Sequence, residues 1–76
     1  MTPSTLQIPE LIKTLRKRMN LSQEKFAARL GVSFQTINRW ECGRATPSQM
    51  AIKLIELQLR QMGKQGADLL EAYFKE

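Results

Sequence analysis

The stretch from Leu21 to Gly43 carries the same short phrase twice, with nothing between the copies. Leu21-Ser22 opens the first and Gly31 closes it; Val32-Ser33 opens the second and Gly43 closes it. A serine in such a place caps a helix by accepting from its free N–H groups. The apolar residue before each serine stands at staple spacing from a second one, Leu21 from Phe26 and Val32 from Ile37. Glycine then supplies the left-handed residue that ends the helix. Two short helices separated only by Gly31-Val32-Ser33 form a helix-turn-helix, and the glycine permits the sharp reversal.

Around this unit the apolar spacing predicts three further helices. Residues 1–7 contain Pro3 and show no period, which reads as a flexible N-terminal arm. Pro9 suits a first helical turn, and Ile8, Leu11, Ile12, Leu15 and Met19 make one apolar face from about Pro9 to Met19. Thr46-Pro47-Ser48 restarts the chain for a helix over 49–62, ended by Gly63. Its apolar residues fall on two sides, Met50, Leu54 and Leu57 against Ile52, Ile55, Leu59 and Met62. A last turn or two runs from about Gly66 to Phe74, with Leu69, Leu70, Tyr73 and Phe74 as its apolar set. No segment alternates with period two. The expected fold is all-α, a compact bundle of five short helices with a central helix-turn-helix: arm 1–7, helix-turn-helix domain 8–62, and a C-terminal helix over 63–76.

Composition narrows the function classes. At 76 residues the chain is one small domain. It has no run near the ~18 apolar residues of a membrane span and no signal-peptide h-region. A single cysteine precludes an internal disulfide and points to a reducing cytosol. Zero histidines remove the commonest general base and metal ligand, so an enzyme, a metal site and a cofactor are not expected. Charge is uneven. Residues 1–53 hold nine Lys/Arg against three Glu (+6), while 54–76 hold three basic and four acidic residues (−1). A basic body with a near-neutral tail suits a polyanion at one end; a merely solvated surface is the alternative.

Residues 21–48, LSQEKFAARLGVSFQTINRWECGRATPS, closely resemble the lambda-repressor/Cro-like (XRE-type) helix-turn-helix family of bacterial and phage DNA-binding proteins. The shared features are Gln23, Ala27, the Leu30-Gly31-Val32-Ser33 turn, Ile37, Trp40-Glu41, Gly43-Arg44 and Pro47-Ser48, and the likeness extends over roughly 8–60. Such a unit lays its second helix, here Ser33–Cys42, into the DNA major groove. With Ile37 and Trp40 inward, the outward base-contacting set is Phe34, Gln35, Asn38 and Arg39, with Ser33 at the tip. The resemblance makes Phe34, Gln35 and Arg39 the main base readers. Gln35 can pair bidentately with adenine and Arg39 with guanine. Phe34 departs from the polar residues common at its position; its ring either rests on a thymine methyl or packs locally.

The resemblance also assigns Gln23 a backbone phosphate, which a helix N-terminus favours. Arg44, Ser48, Lys17 and Arg18 join it as phosphate contacts, although Arg18 could instead serve the C-terminal dipole of its helix. The resemblance further implies a structural ion pair between Arg16 and Glu41. Trp40 reads as core. Cys42 is either a small hydrophobe or a thiol activated by Arg39 and Arg44. The expected partner is double-stranded DNA, with a homodimer completing two half-sites and no membrane or small-molecule ligand. A cytoplasmic, sequence-specific regulator, most simply a repressor, is the main reading. The alternative is an antitoxin that binds a toxin protein while the same turn autoregulates its operon. The C-terminal helix either supplies a dimer interface or folds back on helix four.

Overall fold

A computed structural model describes residues 8–74; the expected N-terminal arm lies outside them. Five α-helices follow one another: α1 (Ile8–Arg18), α2 (Gln23–Leu30), α3 (Phe34–Glu41), α4 (Gln49–Gln61) and α5 (Lys64–Phe74). No strand occurs among the described residues. The protein is all-α.

Three successive helices end in the same way. Gly31 and Gly43 take φ of 75° and 74°, and Asn20 takes 58°. Behind each, the chain closes a 6→1 bond: Leu21 N to Arg16 O at 3.2 Å, Val32 N to Ala27 O at 3.0 Å, and Arg44 N to Arg39 O at 2.9 Å. These bonds satisfy orphan carbonyls of the last turn. Asparagine stands in for glycine at the first stop because it is among the few residues that tolerate the left-handed region. The starts are equally regular. Ser22, Ser33 and Ser48 each accept from the backbone N–H three residues on, at 3.1 Å. Each removes one unsatisfied donor from a helix N-terminus.

The capped helices bury one face apiece. Ile8, Leu11, Ile12 and Leu15 of α1 meet Phe26, Ala27 and Leu30 of α2, Ile37 and Trp40 of α3, and Ile55 and Leu59 of α4 in one core. Leu21 and Val32, the residues at staple spacing, pack against its rim. Trp40, 4% exposed, is core.

The C-terminal helix is longer than its sequence suggests. It starts at Lys64 rather than near Gly66, because the chain reverses at once behind Gly63, with Gly66 N bonded to Gly63 O at 3.1 Å. Gly66 therefore sits inside α5, against α4. A Cβ there would lie 2.2 Å from the Leu59 carbonyl oxygen. α5 folds back on α4 and α1: Leu69 is buried, and Leu70, Tyr73 and Phe74 pack on the core. Its apolar face is thus used within the chain. Among the described residues, the large apolar side chains left exposed are Met50, Leu54 and Leu57 on α4, and Phe34 on α3.

Candidate nucleic-acid interface

The pattern of α3 separates its two faces cleanly. Ile37, Trp40 and Glu41 are buried, whereas Phe34, Gln35, Asn38 and Arg39 are exposed. Ser33, expected at the tip, is exposed as well, but its hydroxyl accepts from Thr36 N and shares a 2.8 Å bond with Thr36 Oγ1. It is committed to the cap. Ser48 is likewise committed, to Ala51 N.

Behind the outward face lies a polar chain that joins three helices. Arg16 donates from Nε to Glu41 Oε2 at 2.7 Å and from Nη2 to Glu41 Oε1 at 3.1 Å. Its Nη1 donates to the Leu21 carbonyl at 3.1 Å, tying the turn before α2 to the same group. Hydrogen bonding to Glu41 holds the Arg16 guanidinium above its ordinary pKa. Gln23, at the start of α2, donates from Nε2 to Glu41 Oε1 at 3.1 Å. A carboxylate only accepts, so this bond fixes which end of the amide points inward. Gln23 Oε1 then accepts from Asn38 Nδ2 at 3.4 Å, and Asn38 Oδ1 receives a weak bond from the Cys42 thiol at 3.9 Å. The structure thus brings Gln23, Asn38 and Glu41 together where α2 begins and α3 ends.

Arg18 is placed differently from the expectation. Its guanidinium grips α5, donating to Asp68 Oδ1 at 2.5 Å, Asp68 Oδ2 at 2.8 Å and the Gln65 carbonyl at 2.8 Å. Hydrogen bonding with Arg18 lowers the Asp68 pKa and raises that of Arg18. The partner is 50 residues away in sequence, and no local pattern marks it. A further ion pair joins Arg60 to Glu56 within α4.

These pairs sort the charge. Lys17, Lys25, Arg29, Arg39 and Arg44 are exposed and form no ion pair among the described residues. These cations remain available to an anion, while Arg18 beside α5 and Arg60 on α4 are neutralised in place. Cys42 is exposed at the end of α3. No helix among the described residues is long and apolar enough to cross a membrane.

A family model described as helix-turn-helix matches residues 12–60, covering α1 to α4 and leaving α5 outside. The chain is 37% identical over 49 residues to Antitoxin HigA-2 of Vibrio cholerae, which covers 64% of this chain and 47% of that protein. It is 40% identical over 48 residues to a protein of Methanoculleus marisnigri named as an HTH-type transcriptional regulatory protein, covering 63% of this chain and 16% of that one. The matched segment therefore spans about half the length of the first relative and about a sixth of the second. No solved structure matches significantly.

Proposed function

The chain belongs to the helix-turn-helix family, and on that premise we propose that it is a sequence-specific, double-stranded DNA-binding transcriptional regulator, most simply a repressor that occupies an operator. The observation that carries the reading is the outward face of α3. It presents an amide at Gln35 and a guanidinium at Arg39, both exposed, beside cations that the fold leaves unpaired. Gln35 fits adenine and Arg39 fits guanine in the major groove. Gln23, Arg44 and Lys17 are the phosphate contacts of this reading, with Ser48 contributing from a side chain already engaged in its cap. Asn38, linked to Gln23, faces the same groove edge. Arg18 makes its contacts with α5 instead.

A single recognition helix covers one half-site, so the reading includes a homodimer on half-sites about 34 Å apart. The Met50–Leu54–Leu57 stripe of α4 is the apolar surface available for it, since α5 has spent its own face on the core. The place of work is the cytoplasm, on bacterial or phage DNA, and no catalytic step is assigned.

The antitoxin reading is favoured by one observation, the 37% identity to Antitoxin HigA-2. In it the α3 face holds the operator and the α4 stripe holds a toxin protein. Selection of binding sites from genomic fragments, with wild type and Arg39→Ala in parallel at near-physiological salt, tests the main reading. An enriched palindrome that degenerates in the variant supports it. Salt-sensitive binding to any duplex, with nothing enriched, overturns it and directs attention to a protein partner.

A further inference from the structure

Phe34 is an unused aromatic side chain in an exposed place. It is 46% exposed and stands outside both the core and the set of residues packed on its rim. The ring takes no part in the core, and nearly half of its surface is open to solvent. It is also the first residue of α3, the end of a recognition helix that reaches base edges. Its neighbours restrict what this end can read. Ser33 and Thr36 are bonded to each other, and Asn38 is engaged by Gln23 and Cys42. Among the described residues, the outward-facing side chains of α3 that make no side-chain hydrogen bond or ion pair are Phe34, Gln35 and Arg39.

A phenyl ring has no donor or acceptor and cannot pair with the N and O atoms of a base edge. The one apolar group in the major groove is the methyl on C5 of thymine. 5-Methylcytosine carries the same group at the same position. Set against a purine edge, the ring would instead strip water from an N7 acceptor and give nothing back. We propose that Phe34 is a specificity-determining residue that reads a 5-methylpyrimidine, making the protein a sensor of a single base methyl group at one position of its site. This rests on the DNA-reading function proposed above and adds the chemical identity of one contact.

The test isolates the methyl group. In the selected site each thymine is replaced in turn by uracil, which removes the methyl and leaves every hydrogen-bonding atom. At the responsive position, cytosine and 5-methylcytosine are then compared. Binding is measured for wild type, Phe34→Ala and Phe34→Leu. The expected result is a loss of about fourfold on one thymine-to-uracil change with wild type, the size of one buried methyl. A similar gain should follow from cytosine to 5-methylcytosine. Both ratios should fall to about one in Phe34→Ala and survive in part in Phe34→Leu. Because the side chain is exposed, neither variant should lose helicity. A site on which all uracil duplexes bind wild type as tightly as thymine overturns the inference while leaving the regulator reading intact. The same inference falls if Phe34→Ala keeps the wild-type ratios. Selection that enriches no site overturns both.

Discussion

Glu41 accepts three side-chain hydrogen bonds at 4% exposure, and both of its donors sit on other helices. Removing Arg16 leaves that carboxylate buried with only an amide for company, so Arg16→Ala should cost about 3–5 kcal/mol in urea unfolding. Gln23→Ala takes away one bond of the three and leaves the ion pair, for a loss of about 1–3 kcal/mol. Such a variant should stay folded and lose DNA affinity through a phosphate contact. On the opposite face, Gln35→Ala and Arg39→Ala should each cost about 1–3 kcal/mol on the selected site and leave circular dichroism unchanged. Arg44→Ala should weaken all duplexes alike and make the salt slope shallower by about one unit. A changed site preference in Arg44→Ala would show that it reads bases. The inward and outward residues of α3 were legible because Ile37 and Trp40 have helical spacing. The Arg16–Glu41 pair was accessible through the family likeness, since 25 residues separate the two. The Gln23–Glu41 bond had no signal at all: glutamine at a helix start reads equally well as a surface residue.

Two glycines show how differently an element can depend on the absence of a side chain. Gly31 ends α2 at φ 75° with open space around it, so Gly31→Ala meets backbone strain and no clash. A cost of about 1 kcal/mol is expected. Gly66 has ordinary helical backbone, but its missing Cβ lets α5 lie directly on Leu59 of α4. Gly66→Ala puts a methyl group 2.2 Å from a carbonyl oxygen. The helices must separate, at a cost of about 1–3 kcal/mol in thermal melts. The backbone amides of α5 around Leu69 should then exchange faster with solvent. Arg18 and Asp68 hold the same junction from outside. Because the Asp68 pKa is lowered on folding, the stability it contributes is present above the ordinary value of 3.8. That contribution is lost as pH falls through the lower folded value. Between pH 5 and 8 the junction should therefore be insensitive to pH, and Asp68→Asn should behave alike throughout that range. The helix starts and stops were readable from Ser22, Ser33, Gly31 and Gly43, because caps are local chemistry. The extent of α5 was not, since a glycine inside a helix looks like a break until its neighbour is known.

At the scale of the whole molecule, the apolar surface that remains decides how two copies could meet. Met50, Leu54 and Leu57 are 75%, 36% and 47% exposed and recur at i, i+4 and i+7 on the side of α4 away from Ile55 and Leu59. Three such side chains offer a few hundred Å². A stable interface needs about 800 Å² from each partner. This stripe alone is too small to hold a dimer at micromolar concentration. Two copies seated on adjacent half-sites face a different equilibrium, because tethering to one duplex raises their effective concentration to about the millimolar range. Sedimentation should therefore show a monomer in the absence of DNA and cooperative occupancy of a full palindrome. Leu54→Glu with Leu57→Glu should abolish the cooperativity while leaving affinity for an isolated half-site and the far-ultraviolet spectrum unchanged. The two-sided pattern of α4 was visible in the sequence, but α5 could have covered either side. Only its seat on Leu59 leaves Leu54 and Leu57 open. A free dimer that survives both substitutions would place the interface on another surface. Loss of half-site binding in the double variant would mean that the α4 stripe supports the fold or the DNA contact itself.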